Sequence, residues 1–580
     1  MFGFREYWEN NKMFVAVLSV FSLFRLYLGM NLPIWLFPNA IFDDILMFDY
    51  SHLYTHFHYW NIQSLSKDIS YSLFLFFVKL SNISYKFWMT VLWLIAALLV
   101  IYGINKFLSK NKRILIFSFL FVLFLPVAFD ILCGQRVYRN AIITPTTIIF
   151  LSMLYIFVNN LLDSSINIKN TLIWGILLGL TFTFNYYIKE DGILTLPILI
   201  VCILAVLLFK LFKEEKLSFS RNLMKNVKLV IICIIPLLIF VGGTFAYQEV
   251  NNHYFGVAEV NTRTSGELGD FYANLLKIDD PNKSAQIWVP ASTVEKAVNA
   301  SPTLQSRPKF INVWLDTPWN GGTLRDSEIK GDLVEWSLRS ALKNVSMYND
   351  EKSANDFFFK VNKELDDAFK SGELKKSDKI FITSSANGKD MNEISELKPY
   401  ILSGIEMTFF YKGFEFNNMN NKMSSFFVSN VVTNNASHDI HDSLTTKSGL
   451  NNSSPVDSLP LVLIGLDVAI YQVLSYFLVA LAFGCFLWTC IRQARNKFKN
   501  RTLNMVILFN IMLIGTVLVQ IIAVSWFCSS LGTHPWVGSL NDLLGHIKFH
   551  LISAYGFFTM FVVLSFAGVF SMIDKIELED

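Results

Sequence analysis

Three aspartates lie within one twelve-residue stretch, "NAIFDDILMFDY" (39–50), directly after a long apolar run. Asp43 and Asp44 are adjacent, and Asp49 follows a few residues later. Neighbouring carboxylates repel each other and raise each other's proton affinity, so such a pair usually has a metal, a basic ligand or a catalytic duty. A solvated acidic loop is the alternative, because carboxylates are common at surfaces. The pair is therefore a candidate for acid–base or metal chemistry.

Other charged residues recur at the ends of apolar runs. The stretch "GQRVYRN" (134–140) supplies two arginines and a tyrosine, and "YYIKEDG" (186–192) supplies a lysine and two acids. Ionisable groups at such positions are costly unless they face a cavity and have partners, which predicts one interfacial site. Snorkelling, topological anchoring and a solvated turn are the alternatives. The further candidates are Arg25, Asp49, His52, Arg136, Tyr138, Arg139, Lys189, Glu190 and Asp191.

The composition indicates a membrane protein with several spans. The 580 residues are 53% hydrophobic, include 54 Phe and are only 16% charged. The net charge of +3 is small, and the basic residues form short clusters between apolar runs, which argues against a nucleic-acid surface. All six cysteines lie in or beside apolar segments, so no disulfide framework is predicted.

The elements that must position these residues are apolar runs long enough to cross a bilayer. About ten are expected, which makes the fold class a polytopic α-helical membrane protein. The segment "ISYSLFLFFVKL" (69–80) is too short to cross and is expected to form a juxtamembrane or re-entrant helix. The expected spans are 13–31, 85–105, 113–130, 141–159, 171–187, 192–212, 228–247, 466–490, 503–527 and 548–572.

Charge bias predicts which side each loop occupies. Three strongly basic loops, 106–113, 210–228 and 492–501, should be cytoplasmic under the positive-inside rule. Both termini are then cytoplasmic, and the acidic stretch at 39–50 lies on the outer face of the plasma (inner) membrane. The loops at 131–140 and 188–191 fall on the same outer face.

The chain is expected to have three parts. A transmembrane module (1–247) precedes a soluble extracytoplasmic domain (248–458), and further spans complete the chain (459–580). The inserted domain is expected to be mixed α/β, because 327–345 and 353–374 show helical periodicity whereas 378–385 alternates like a strand.

The missing motifs narrow the chemistry. No G-x-x-x-x-G-K-[ST] loop, H-E-x-x-H motif or G-x-S-x-G elbow is present. Charges concentrated at one interface favour chemistry on a lipid headgroup over transport along a midplane path. Such a site needs cations or an acid-bound metal for a leaving phosphate, and one carboxylate as base.

The order of these motifs resembles that of the GT-C superfamily of glycosyltransferases. "FDDILM" resembles its first-loop acidic motif, "LSKDISYSLFLFF" (65–77) its juxtamembrane helix, and "RVYR" and "YIKEDGILTLP" (187–197) its later outer-loop motifs. The resemblance covers about the first 210 residues. It implies a GT-C-like fold in which Asp43 or Asp44 is the general base.

The resemblance also implies the remaining roles. Arg136, Arg139 and Lys189 would bind the donor phosphate. Asp43, Glu190 and Asp191 would hold a divalent metal, Mg²⁺ or Mn²⁺, or contact the acceptor.

The expected function is that of a bacterial, inverting membrane glycosyltransferase that makes cell-envelope polysaccharide or glycolipid. The sugar would pass from a polyprenyl phosphate to a glycan, glycolipid or teichoic-acid-like acceptor, with membrane lipids and no nucleic acid as partners. The alternatives are a lipid-linked glycan flippase or transporter, an envelope polymer ligase or polymerase, and a noncatalytic scaffold.

Overall fold

A computed structural model gives the architecture. It describes residues 2–34, 46–47, 65–163, 167–211, 227–319, 321–327, 329–347, 350–415, 458–531 and 543–576. One polar, helical insertion lies between two sets of apolar helices. The helices in the first half are α1 (Phe2–Met30), α2 (Ser70–Ser81), α3 (Tyr85–Phe107), α4 (Lys112–Leu123), α5 (Asn140–Leu162), α6 (Ile168–Tyr186), α7 (Leu196–Leu211) and α8 (Val227–Phe255).

The insertion and the last apolar helices follow. The insertion contains α9 (Gly266–Lys277), α10 (Ala291–Ala300), α11 (Pro302–Gln305), α12 (Pro308–Asp316), α13 (Leu333–Asn344), α14 (Glu351–Ser371), α15 (Met391–Ser395) and α16 (Lys398–Phe410). The final helices are α17 (Ser458–Arg495), α18 (Arg501–Leu531), α19 (Leu543–Leu551) and α20 (Ala554–Ile576).

The described residues include 8 helical segments that are long and apolar enough to cross a membrane. This makes the chain a polytopic helical membrane protein, with fewer such segments than the ten expected. The segments are Asn11–Met30, Tyr85–Phe107, Asn140–Leu162, Glu190–Lys210, Val227–Phe255, Leu459–Arg495, Arg501–Ser530 and Ala554–Asp574.

Two of the expected spans, 113–130 and 171–187, do not form helices that are long and apolar enough to cross a membrane, each for its own reason. The run at 113–130 forms only a 12-residue helix, α4, because the chain turns into a short 3-10 helix at Pro126. Helix α6 has 19 residues, but Lys169 and Asn170 at its start and Asn185 near its end reduce its apolar character. The predicted short helix at 69–80 is confirmed as α2.

Helix α5 is the central helix of the bundle. In its most apolar 18-residue window 94% of the residues are buried, and it packs against α3, α6, α7 and α20. Helix α20 also packs against α17 and α18. The site residues at the start of α5 are thus fixed to the most buried of the candidate spans that the structure describes.

The insertion has its own hydrophobic core but is not isolated from the apolar helices. Its core includes Trp288 and Trp314 and continues into α2 through residues such as Leu75. The predicted helices at 327–345 and 353–374 are present as α13 and α14. The last helix of the insertion, α16, packs against α17, α18 and α19.

The expected β component is not seen among the described residues of the insertion. The alternating segment at 378–385 forms one isolated antiparallel bridge, between Ile380 and Lys389, in place of a strand ladder. Alternation alone does not make a strand, because a ladder needs a partner segment of similar length.

A buried ion pair joins distant parts of the chain. Lys548 Nζ donates to Asp130 Oδ2 at 2.7 Å, and both side chains are 0% exposed. The carboxylate also accepts from the backbone N–H groups of Leu132 (2.9 Å) and Glu415 (3.1 Å), and from the Cys133 thiol. Lys548 also donates to the carbonyl of Gly413 at 2.5 Å. The pair therefore connects the loop before α5, the end of the insertion and α19.

Replacing Lys548 by Met is expected to lower the free energy of unfolding by about 3–5 kcal/mol, because the Asp130 carboxylate stays buried without its cation. The measurement is the Tm of the purified protein in detergent. The matched control is Lys370→Met, which breaks the solvent-exposed pair with Asp367 and should leave the Tm unchanged. Equal Tm values for both variants would contradict the role given to the buried pair.

Candidate functional site

The loop that leads into α5 buries its two arginines. Arg136 is 1% exposed and Arg139, at the start of α5, is 3% exposed. Arg139 Nη1 lies 3.0 Å from both carboxylate oxygens of Glu190. Its Nη2 and Nε donate to the Tyr138 hydroxyl at 3.0 and 3.3 Å. The predicted loops at 131–140 and 188–191 are therefore in contact through Arg139 and Glu190.

An aromatic residue from the far end of the chain completes this cluster. Phe549 stacks on Tyr138, with ring centroids 5.7 Å apart and planes 17° from parallel. The Arg136 guanidinium carbon lies 4.6 Å from the Tyr138 centroid and 5.1 Å from that of Phe549. Lys189 Nζ donates to the carbonyls of Phe549 (3.5 Å) and His550 (3.3 Å). These two hydrogen bonds are long for an ammonium donor, so they hold Lys189 weakly.

Asp191 has one satisfied and one unsatisfied oxygen. The Ser553 hydroxyl donates to Asp191 Oδ2 and accepts from Gln520 Nε2 at 3.1 Å. Asp191 Oδ1 and Gln520 Oε1 are buried, and neither has a hydrogen-bond partner in the part of the chain that the structure describes. An unpaired buried acceptor is costly, which suits a site that receives a donor or a cation from a ligand.

A third carboxyl, Asp68, belongs to this cluster and was not singled out from the sequence. It is 6% exposed and accepts a hydrogen bond from Asn261 Nδ2 at 3.3 Å. Burial, and then the charge of Glu190, raise the pKa of Asp68 to about 7, whereas the charge of Arg139 lowers it. The adjacent lysine and aspartate at 67 and 68 were a visible signal, but no periodic pattern marks them as buried.

The insertion fastens the segment that carries Asp68. The backbone N–H of Thr262 donates to the Leu65 carbonyl at 2.7 Å. Next to this contact, Arg263 is paired with Asp332 and with Glu335, whose other oxygen accepts from Arg339 Nε at 3.1 Å. This charged network places the insertion beside the cluster.

The structure therefore brings together six of the predicted residues: Arg136, Tyr138, Arg139, Lys189, Glu190 and Asp191. Arg25 lies apart in α1, where its Nε donates to the Leu123 carbonyl at 3.1 Å. The predicted residues Asp43, Asp44, Asp49 and His52 lie outside the described residues.

The predicted divalent metal stays a prediction. Within the described ranges, no group of three or more His, Cys, Asp and Glu side chains is placed to hold a metal ion. The predicted ligand set includes Asp43, which is not in those ranges, so this finding does not bear on it. Of the described members of that set, Asp191 is the one with an unpaired oxygen.

Comparisons with known protein families, curated protein sequences and solved structures found no match for this chain.

The raised pKa of Asp68 predicts a pH-dependent stability. Because the folded protein binds a proton that the unfolded chain has released, stability should fall as the pH rises from about 4 to about 7 and level off above that. Asp68→Asn removes this pH dependence. The Tm of the variant minus the Tm of the wild type should therefore increase from pH 4 to pH 7. Thermal unfolding at several pH values measures it.

The exposed Asp367→Asn change is the control for this titration. Its Tm should follow that of the wild type at every pH. If Asp68→Asn also followed the wild type at every pH, the buried, protonated state of Asp68 would be contradicted.

Proposed function

We propose that this protein is an integral-membrane glycosyltransferase that transfers a sugar from a polyprenyl phosphate to a cell-envelope glycan, glycolipid or polymer. The observation that supports it best is the buried cluster of Arg136, Arg139 and Lys189 beside the acids Glu190 and Asp191. The cluster lies where α5 and the segment Glu190–Lys210 begin, both of which can span a membrane. A lipid phosphate reaches this level without leaving the bilayer surface.

The reaction breaks the bond between the anomeric carbon and the phosphate oxygen and forms a bond from that carbon to an acceptor hydroxyl. A carboxylate takes the hydroxyl proton, and the polyprenyl phosphate leaves with the electron pair. In the proposal, Asp43 or Asp44 is the base, with attack opposite the leaving group inverting the sugar. The cations neutralise the phosphate as it leaves.

The contacts of the three cations distinguish their roles. Arg139 is already bound to both oxygens of Glu190, so it orients that carboxylate. Among the described residues, Lys189 makes two long hydrogen bonds to carbonyls and a contact with the Phe549 ring, and it can exchange these hydrogen bonds for a phosphate at small cost. The guanidinium of Arg136 makes cation–π contacts with the neutral rings of Tyr138 and Phe549. We assign phosphate binding first to Lys189, with Arg136 on the same Phe549 ring as the second cation.

The position of the insertion fits an acceptor-binding role on the same side as the cluster. It contacts the segment of Asp68 directly, through Asn261 and Thr262. In the proposal this side is the outer face of the plasma membrane, with the basic loops opposite. GT-C membership and the sidedness of the termini are parts of the same proposal.

The test is release of free polyprenyl phosphate from a panel of polyprenyl-phosphate sugars by purified protein, with envelope extract as acceptor. Arg136→Gln and Lys189→Met should each reduce turnover by about a hundredfold, because each removes charge stabilisation that grows in the transition state. The control is Arg325→Gln, in an exposed pair with Asp316, which should keep full turnover.

Asp43→Asn and Asp44→Asn identify the base in the same assay. Loss of turnover in one of them assigns the base, and EDTA sensitivity assigns a metal. Full turnover in both would move the base to Glu190 or Asp191. No turnover by folded wild-type protein with any donor would contradict the proposed function.

A lipid-linked glycan transporter is the second candidate, favoured by two charges inside candidate spans. Arg25 lies in Asn11–Met30, and Asp467 lies in Leu459–Arg495. Each has a buried polar atom with no hydrogen-bond partner among the described residues. Intramembrane charges of this kind often mark a transport path. Movement of labelled lipid-linked glycan across proteoliposomes, with no glycosidic bond formed, would favour this candidate.

A further inference from the structure

We propose that a cleft between α1, α3, α4 and α6 binds one acyl chain of an anionic phospholipid, with the lipid phosphate beside Lys106. The cleft has a volume of about 540 Å³. Ligand pockets in proteins commonly measure roughly 300–1,000 Å³, so the cleft has room for a ligand of the size of a lipid chain. Neither Arg136 nor Lys189 lines it, and the inference does not depend on the proposed transfer reaction.

The cleft has a buried floor and an exposed edge. Phe14, Ile101 and Leu115 line it and are buried, whereas Ile95 and Leu98 line it and are 39% and 47% exposed. The helices α1 and α3 both contain candidate membrane spans, so the exposed edge faces the bilayer. A lipid chain can therefore enter the cleft from the side and cover its apolar floor.

The cleft follows α3 to the depth of one leaflet. Its lining residues on α3 extend from Ile95 to Asn105, which is about 15 Å along the helix. The hydrocarbon core of a bilayer is about 30 Å thick, so the cleft covers about half of it. A straight acyl chain that starts beside Asn105 would therefore end beside Ile95, near the middle of the bilayer.

The end of the cleft at Asn105 has the character of a membrane surface. The candidate span of α1 begins at this end, α3 ends there, and α4 and α6 begin there. Tyr102 and Trp174 line the cleft, and their rings stack with centroids 5.7 Å apart. Tyr and Trp side chains are enriched at the level of lipid headgroups. A lipid with its chain in the cleft would thus have its headgroup at this end.

Lys106 supplies a positive charge where the headgroup would lie. Its Nζ donates to Asn160 Oδ1 at 2.8 Å. It also lies 5.8 Å from the ring centroid of Tyr102, which lines the cleft, and 4.8 Å from that of Phe107. All three of these partners are neutral, so none of them cancels the charge of the ammonium group. A phosphate would do so.

Two more cations lie at the same end of the helices. Lys12 and Arg113 are exposed, and each stands two residues before a residue that lines the cleft, Phe14 or Leu115. Basic side chains at a membrane surface attract anionic headgroups. A neutral lipid would use only the apolar cleft, and a dissolved anion would use only the cations. An anionic phospholipid uses both.

The test measures lipid binding to the full-length protein in lipid-depleted detergent by native mass spectrometry. The first probe is dioleoyl phosphatidylglycerol. Dioleoyl phosphatidylcholine has the same chains and no net charge, and dihexanoyl phosphatidylglycerol has the same headgroup and short chains. Wild type should bind the first probe at least about tenfold more tightly than either of the others, because it alone supplies both the charge and the long chain.

Two substitutions fill the cleft at different depths. Leu98→Trp and Ile95→Trp should each weaken binding of dioleoyl phosphatidylglycerol by at least about tenfold, because a chain kept out of the cleft loses the burial of several methylene groups. Both positions are partly exposed, and either variant alone suffices if the other does not fold. The matched control is Leu204→Trp on α7, at a 50% exposed leucine outside the cleft, which should bind as wild type.

Lys106→Gln tests the headgroup. It should weaken binding of dioleoyl phosphatidylglycerol by about fivefold and leave binding of dioleoyl phosphatidylcholine unchanged, because it removes one charge at the membrane surface. Lys228→Gln, at an exposed lysine near the start of α8, is the control for nonspecific attraction and should bind both lipids as wild type does.

Four outcomes would overturn the proposal. Equal binding by wild type and the tryptophan variants would mean that lipid surrounds the protein without occupying the cleft. Equal binding of phosphatidylcholine would remove the role of the charge, and equal binding of the dihexanoyl lipid would remove that of the chain. Tighter binding of undecaprenyl phosphate than of phosphatidylglycerol, lost in the tryptophan variants, would make the cleft a site for a polyprenyl chain.

Discussion

The buried pair of Asp130 and Lys548 is the constraint on which the site depends. Both charges are fully removed from solvent, so the fold must supply hydrogen bonds beyond the pair itself, and residues 132, 133, 413 and 415 supply four. Lys548 directly precedes Phe549, whose ring and carbonyl contact Arg136 and Lys189. The buried pair therefore also holds the Phe549 ring and the carbonyls of Phe549 and His550 against Arg136 and Lys189, which lie hundreds of residues earlier in the chain.

The charged side chains of the candidate site are paired to different extents, which follows from the geometry of each side chain. One guanidinium nitrogen of Arg139, Nη1, donates to both oxygens of Glu190, while Nη2 and Nε donate to the Tyr138 hydroxyl. Among the described residues, Lys189 donates to carbonyls at 3.3 and 3.5 Å, and Asp191 has one oxygen without a hydrogen-bond partner. The site thus combines a rigid pair with groups that a ligand can engage, and Asp68 with its pKa near 7 adds a proton site beside them.

Sequence reasoning found the residues that short motifs mark. Charged residues flanked by apolar runs predicted that the loops with Arg139 and Glu190 would meet, and length alone predicted helix α2. Phe549, Lys548 and Asp68 were missed because their roles arise from contacts across hundreds of residues, which no local period encodes. The span at 113–130 and the strand at 378–385 were expected from hydropathy and alternation, but Pro126 interrupts the first and the second has only a single bridge.

Arg25 and Arg139 show how the same residue type serves two purposes in one membrane protein. Both are nearly inaccessible to solvent, and both lie at or near the end of an apolar helix. Arg139 has a carboxylate and a hydroxyl as partners, so its burial is balanced within the chain. Among the described residues, Arg25 has one carbonyl and an aromatic ring as partners, and its Nη1 has no hydrogen-bond partner. Because an unbalanced buried charge costs more than a balanced one, the burial of Arg25 is less favourable than that of Arg139.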